Sequence, residues 1–175
     1  MIHAMIDLET LSTTPDAVIL TVGGVKFNPH NNVEPNQPMY FRVDVDEQTK
    51  IDRHVMQETL DWWGKQAEDV REEALGDNNR ISLDQMIKTI NKFAVGVDVF
   101  WCQGPLFDYA ILQNFYAQMQ VPVPWNFWQI RDSRTLGSLV PRDPNEKRTG
   151  LHNALEDCYF QAKKVQRVYK QLGIK

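Results

Sequence analysis

Apolar positions along the chain follow two rhythms, one of period two or continuous and one of period three to four. Ile2 to Leu8 reads as a short buried strand, and Ala17 to Phe27 as a second, rich in Val and Ile, with a bulge expected at Gly23-Gly24. Asn28 to Pro38 holds three prolines and four asparagines, the composition of a loop or wide turn, after which Met39 to Val45 alternates as a third strand. From Met56 to Ala74 the apolar residues Met56, Leu60, Trp63, Ala67, Val70 and Ala74 recur at steps of three or four, which predicts one helix. A second helix is expected over Ser82 to Val95, where Ser82 and Gln85 have capping-box spacing, followed by a strand over Val97 to Cys102.

Gly104-Pro105 breaks the chain, and Pro105 suits the opening of a helix that runs to about Gln118. A stiff connector over Val121 to Trp125 precedes a weak apolar signal at Asn126 to Ile130, where a fifth strand is placed, and Ser133 to Val140 predicts a short helix. Pro141 to Gly150 reads as a polar loop, and Ala154 to Leu172 as the terminal helix. Hairpin-linked strands followed by a crossover strand and helices predict an α/β fold with a mixed sheet flanked by helices. No repeat or linker divides the 175 residues, so one domain over residues 1–175 is expected.

Composition narrows the class. The chain is 42% hydrophobic and 24% charged, as ordinary globular proteins are, and no segment approaches the roughly 20 apolar residues of a membrane span. A cytoplasmic protein without a membrane partner is expected. Cys102 and Cys158 stand far apart without further cysteines, which predicts reduced core thiols in place of a disulfide framework or zinc knuckle. A net charge of -4 argues against coating long stretches of nucleic acid, yet carboxylates that hold cations lower the formal charge of a chain whose loaded site is positive.

Asp7 and Glu9, two apart at the end of the first strand, project from one face, where their repulsion invites a cation. Taken alone, the pair is a weak motif, and a solvated strand end is its plainer reading. Asp108 shares a helical stripe with Leu112, Phe115 and Met119, so the acid lies on an otherwise buried face; a carboxylate that merely complements the helix dipole is the plainer alternative. His152 and Asp157 are five apart, about 140° around a continuous helix. Asn153 with Glu156 three residues later reads as a capping-box variant, so the helix starts at Asn153, His152 stays on the preceding loop and Asp157 falls in the first turn.

Asp7-Leu-Glu9, then Asp108 near a helix start, then His152-Asn-Ala-Leu-Glu-Asp157 resembles the three ordered motifs of the DEDDh branch of the 3′-5′ exonucleases, over nearly the whole chain. Within it the chain is most similar to the compact phage and bacterial exonuclease (exoribonuclease) group, in which a pair like Trp62-Trp63 occurs; ribonuclease T and oligoribonuclease resemble it more distantly. The resemblance implies a ribonuclease H-like fold with a five-stranded sheet, and hydrolysis of single-stranded RNA or DNA from a free 3′ end to nucleoside 5′-monophosphates. It implies two Mg²⁺ or Mn²⁺ ions held by Asp7, Glu9, Asp108 and Asp157, with His152 as general base. By family analogy Thr10 and Leu11 become candidate contacts for the 3′ end; Trp62, rotated about 100° from the stripe that holds Trp63 and beside Gln66, reads as a platform for a base or as a side chain covered by the following loop, and Arg142, Lys147 and Arg148 as contacts to backbone phosphates or as a solvated loop. A homodimer stays open. A noncatalytic nucleic-acid-binding module on the same fold and a two-metal phosphatase are the competing functions.

Overall fold

The computed structural model describes residues 1–142 and 152–175. Its first three strands, β1 (His3–Thr10), β2 (Ile19–Phe27) and β3 (Asn36–Val43), form an antiparallel meander. β5 (Val99–Cys102) then pairs parallel with β1 on its other side, and β6 (Ile130–Asp132) parallel with β5. A two-residue strand, β4 (Arg80–Ile81), closes the far edge against β3, giving six strands in the order β4-β3-β2-β1-β5-β6. β1 therefore lies inside the sheet, and both of its faces are covered. Ala4, Ile6 and Leu8 join one core with α4 (Leu83–Ala94) and α5 (Asp108–Gln118), while Met5 joins the other with Cys158, Ala162 and Val165 of α7 (Ala154–Leu172). A third cluster of Leu11, Val18, Leu20, Trp63 and Ala74 lies beside them.

The main departure from expectation is the helical excursion between β3 and α4. α1 (Val45–Lys50) is capped by the Asp44 side chain, and the expected single helix is split into α2 (Gln57–Gly64) and α3 (Glu68–Leu75). Glycine costs a helix interior about 1 kcal/mol, and the break follows Gly64; Ala67, with ψ 152, is already outside the helical region. The break redistributes the stripe: Trp63 and Ala74 are buried, but Leu60 and Ala67 are exposed.

Smaller differences have local causes. The strand expected at Asn126 to Ile130 starts only at Ile130, because Asn126 and Gln129 close a capping box around a single 3-10 turn over Phe127–Gln129. Gly104, at φ 123, and Pro105 form a turn before α5, so the helix starts at Asp108 and not at the proline. The β2–β3 register shifts between Gly24 and Lys26, one step beyond the expected bulge. Ser82 caps α4 by accepting from the Gln85 N–H, and α6 (Ser133–Gly137) is shorter than expected. α7 starts where the Asn153 signal placed it, with the Asn153 side chain accepting from the N–H groups of Leu155 and Glu156.

Both cysteines are free and buried. Among the described residues no helix is long and apolar enough to cross a membrane.

Candidate active site

β1 carries Asp7 and Glu9 on the face that α7 covers, and the pairing register sets Gly23 opposite Asp7. That glycine lets the helix in. A Cβ at position 23 would lie 2.3 Å from the Ala154 carbonyl carbon and 2.5 Å from the Leu155 nitrogen, distances no side chain tolerates. The first turn of α7 thus rests on bare β2 backbone, and the buried Asp157 is brought to the acids of β1. One oxygen from each of Asp7, Glu9 and Asp157 lies within 4.8 Å of the others, a spacing at which they could hold a metal ion.

Asp108 reaches the same end of the sheet from the opposite layer. β1 pairs with β5 only as far as Met5, and further along, the Leu8 N–H donates to the Asp108 Oδ1 at 3.2 Å. The Asp108 carboxylate takes that amide and is buried at the start of α5.

Burial among neighbouring acids perturbs two of these carboxyls. Burial, then the neighbouring Asp108 and Glu9 carboxylates, push the Asp7 carboxyl well above its ordinary range. Burial also raises Asp108, opposed by the Leu8 amide and, more weakly, by the charge of Arg134. Asp7 and Asp108 are thus biased toward their protonated forms, a bias that a cation would reverse, and an all-oxygen donor set suits hard divalent ions. Two residues of this environment escaped the sequence reading. Gln161 donates from Nε2 to the Asp7 Oδ1 at 2.9 Å and orients that carboxylate. Its position one helical turn after Asp157 was the available signal. Arg134, whose charge acts on Asp108, carried no motif.

The candidate base, His152, lies on the loop before α7 with φ 63, half-buried. Its ring meets Trp62 edge-to-face, with centroids 4.7 Å apart. Trp62 is 39% exposed and Trp63 only 1%, which matches the division expected between a surface platform and a core residue. Trp63 also donates from Nε1 to the Thr10 carbonyl, tying α2 to the end of β1.

Thr10 and Leu11 are both buried at the end of β1, Thr10 donating its hydroxyl to the Ser12 carbonyl and Leu11 packing in the cluster with Trp63. Gln66 is half-buried and donates from its side-chain amide to the Trp62 carbonyl, closing the end of α2. Arg142 is exposed, whereas Lys147 and Arg148 lie outside the described residues.

Residues 2–169 match the family model described as the 3′-5′ exoribonuclease Rv2179c-like domain. No curated protein matches the sequence significantly. Solved structures that share the fold include three exonucleases. The nuclease domain of 3′hExo, a DEDDh family member bound to rAMP, aligns with TM-score 0.63 at 13% identity over 97% of this chain and 92% of its own. Exonuclease X, in complex with 5′ overhanging duplex DNA, aligns with TM-score 0.59 at 16% identity over 99% of this chain and 94% of its own. Product-bound exonuclease I aligns with TM-score 0.65 at 11% identity over 97% of this chain but 43% of its own. The sheet and its helices are thus the ribonuclease H-like arrangement of DEDDh exonuclease domains, with β4 added to the five strands expected.

Proposed function

The chain belongs to the Rv2179c-like 3′-5′ exoribonuclease family, and from that premise and its carboxylate cluster we propose that it removes nucleoside 5′-monophosphates from the 3′ end of single-stranded RNA. The convergence of Asp7, Glu9 and Asp157 within 4.8 Å carries this reading. Single-stranded DNA is a second substrate, favoured by the likeness to a nuclease solved with duplex DNA. Residues 1–175 act as one exonuclease domain, in keeping with a family match over residues 2–169. Its two buried free thiols suit the reducing cytoplasm.

The family is divalent-metal dependent, and the acidic cluster is the candidate site for the cation. Asp7, Glu9, Asp108 and Asp157 would hold two ions, Mg²⁺ or Mn²⁺. Bound there, such ions supply positive charge to the phosphoryl oxygens and acidify the attacking water. The rest of the work falls to the protein. His152 takes the proton from that water, a role suited to an imidazole whose ordinary pKa is about 6.5. Trp62 holds the His152 ring by edge contact and offers its exposed face to the terminal base. Gln161 fixes the Asp7 carboxylate, and Trp63 with Leu11 forms the apolar support beneath.

The test is hydrolysis of matched single-stranded RNA and DNA 12-mers with Mg²⁺ or Mn²⁺, the products separated by chromatography. Nucleoside 5′-monophosphates, formed faster from RNA, are expected. Nucleoside 3′-monophosphates, or hydrolysis of simple phosphate monoesters alone, would refute the proposal.

A further inference from the structure

Next to the carboxylates, on the β6 side of the sheet, a cavity of about 490 Å³ opens between α6, α7 and the residue that follows β5. Arg134 of α6, Lys164 and Arg167 of α7, and Arg142 line it together with Gln103. No carboxylate is among its described lining residues. Arg134, Arg142 and Lys164 alone bring three cations to one concavity in a chain whose net charge is -4, an arrangement that suits an anionic ligand. Guanidinium forks match phosphate oxygens in pairs, and an ammonium adds a point charge.

Its position relates it to the site. Gln103 directly follows β5, and the Arg134 guanidinium carbon lies 4.0 Å from where a Cβ would stand on Gly104, four residues before Asp108. Lys164 crosses the end of α6 at Gly137, where a Cβ would lie 2.6 Å from its Cε. Along α7, Lys164 is seven residues beyond Asp157, a rise of about 10 Å. The cavity is therefore within reach, by a few nucleotides, of a strand whose last phosphodiester sits at the carboxylates.

We propose that this cavity is a phosphate-binding subsite for the strand upstream of the scissile bond, so that the enzyme favours substrates long enough to fill it. The subsite rests on the exonuclease reading, and the length preference is its own consequence. On single strands each phosphate contact contributes about 0.7 to the slope of log affinity against log salt, or about fivefold in affinity at 0.1 M salt.

The experiment pairs Arg142→Ala with Lys164→Ala. Affinity for a 5′-fluorescein RNA 12-mer is read by anisotropy from 50 to 300 mM salt in an Asp7→Asn background, and KM and kcat on the 12-mer and a dinucleotide are read in the active enzyme. About 25-fold weaker binding, a salt slope shallower by about 1.4, and a higher KM for the 12-mer with loss of its advantage over the dinucleotide are expected. Lys164→Arg, which keeps the charge, should retain most of the affinity. Unchanged affinity and slope on a 12-mer that is shortened from its 3′ end would overturn the subsite alone. Loss of inhibition by inorganic phosphate with unchanged 12-mer binding would assign the cavity to a free anion and overturn it as well. A 12-mer bound with the expected slope but never shortened would support the subsite and overturn the exonuclease reading.

Discussion

Replacing Asp7 with Asn should make the metal-free protein more stable while abolishing its activity. Asp7, Glu9 and Asp157 have oxygens within 4.8 Å, where two unit charges repel by about 3.5 kcal/mol at an effective dielectric constant of about 20. Partial protonation already relieves some of this, since burial and the charges of Asp108 and Glu9 raise the Asp7 carboxyl. Asn keeps the size of Asp and an oxygen for the Gln161 donor. A gain of about 1–3 kcal/mol at pH 7 follows, and at roughly 2–4 °C per kcal/mol for a domain of this size the melting temperature should rise by at least 2 °C. The pH dependence has a definite sign. An acid whose pKa is raised by folding binds more protons in the native state than in the unfolded one. Stability therefore falls as pH rises from the ordinary carboxyl value through the raised one, and the Asn variant should lose part of that slope. The assay is thermal denaturation in chelator from pH 5 to 8, repeated with Mn²⁺. At a hundred times its dissociation constant the ion should stabilise the native protein by about 2.7 kcal/mol, and the variant by far less. A metal-free variant that melts below wild type, or keeps its full pH slope, would refute the assignment of Asp7 to a repulsive cation site.

His152→Ala should lower turnover by about 10² to 10⁴ with metal and substrate binding retained; full turnover with chemistry rate-limiting would remove His152 from the mechanism. Trp62→Ala should weaken single-strand binding by about 1–3 kcal/mol with little change in melting, whereas Trp63→Ala should cost about 3–5 kcal/mol of folding stability, and the reverse pattern would contradict their opposite exposure. Gly23→Ala forces a Cβ into the Ala154 backbone, so it should displace the start of α7 and weaken the Mn²⁺-induced melting shift well beyond any loss of folding; an unaltered metal response would show that α7 does not depend on that contact.

The placement of the candidate residues was more legible than the framework around them, for physical reasons. Asp7 and Glu9 follow from strand alternation, and the Asn153 cap, by starting α7 where it does, separates His152 from Asp157 and turns an awkward five-residue spacing into a usable one. Asp108 showed as an acid on an apolar stripe, and its burial agrees. Features set by contacts distant in sequence were less visible. Gln161 is defined by Asp7, 154 residues away. β4 has only two residues and borrows its order from β3, so it has no period of its own. The break at Gly64 was hidden because the apolar spacing runs across it undisturbed, and β6 because its three residues follow a 3-10 turn.

The most direct test of a metal-dependent enzyme acting from the 3′ end is the time course of a 5′-labelled single-stranded RNA incubated with Mg²⁺ or Mn²⁺ and resolved on a denaturing gel. A ladder shortening one nucleotide at a time from the 3′ end, absent in chelator and in the Asp7→Asn variant, is predicted. Immediate appearance of the labelled mononucleotide, internal cuts, or an undiminished ladder from the Asp7→Asn variant would contradict the account.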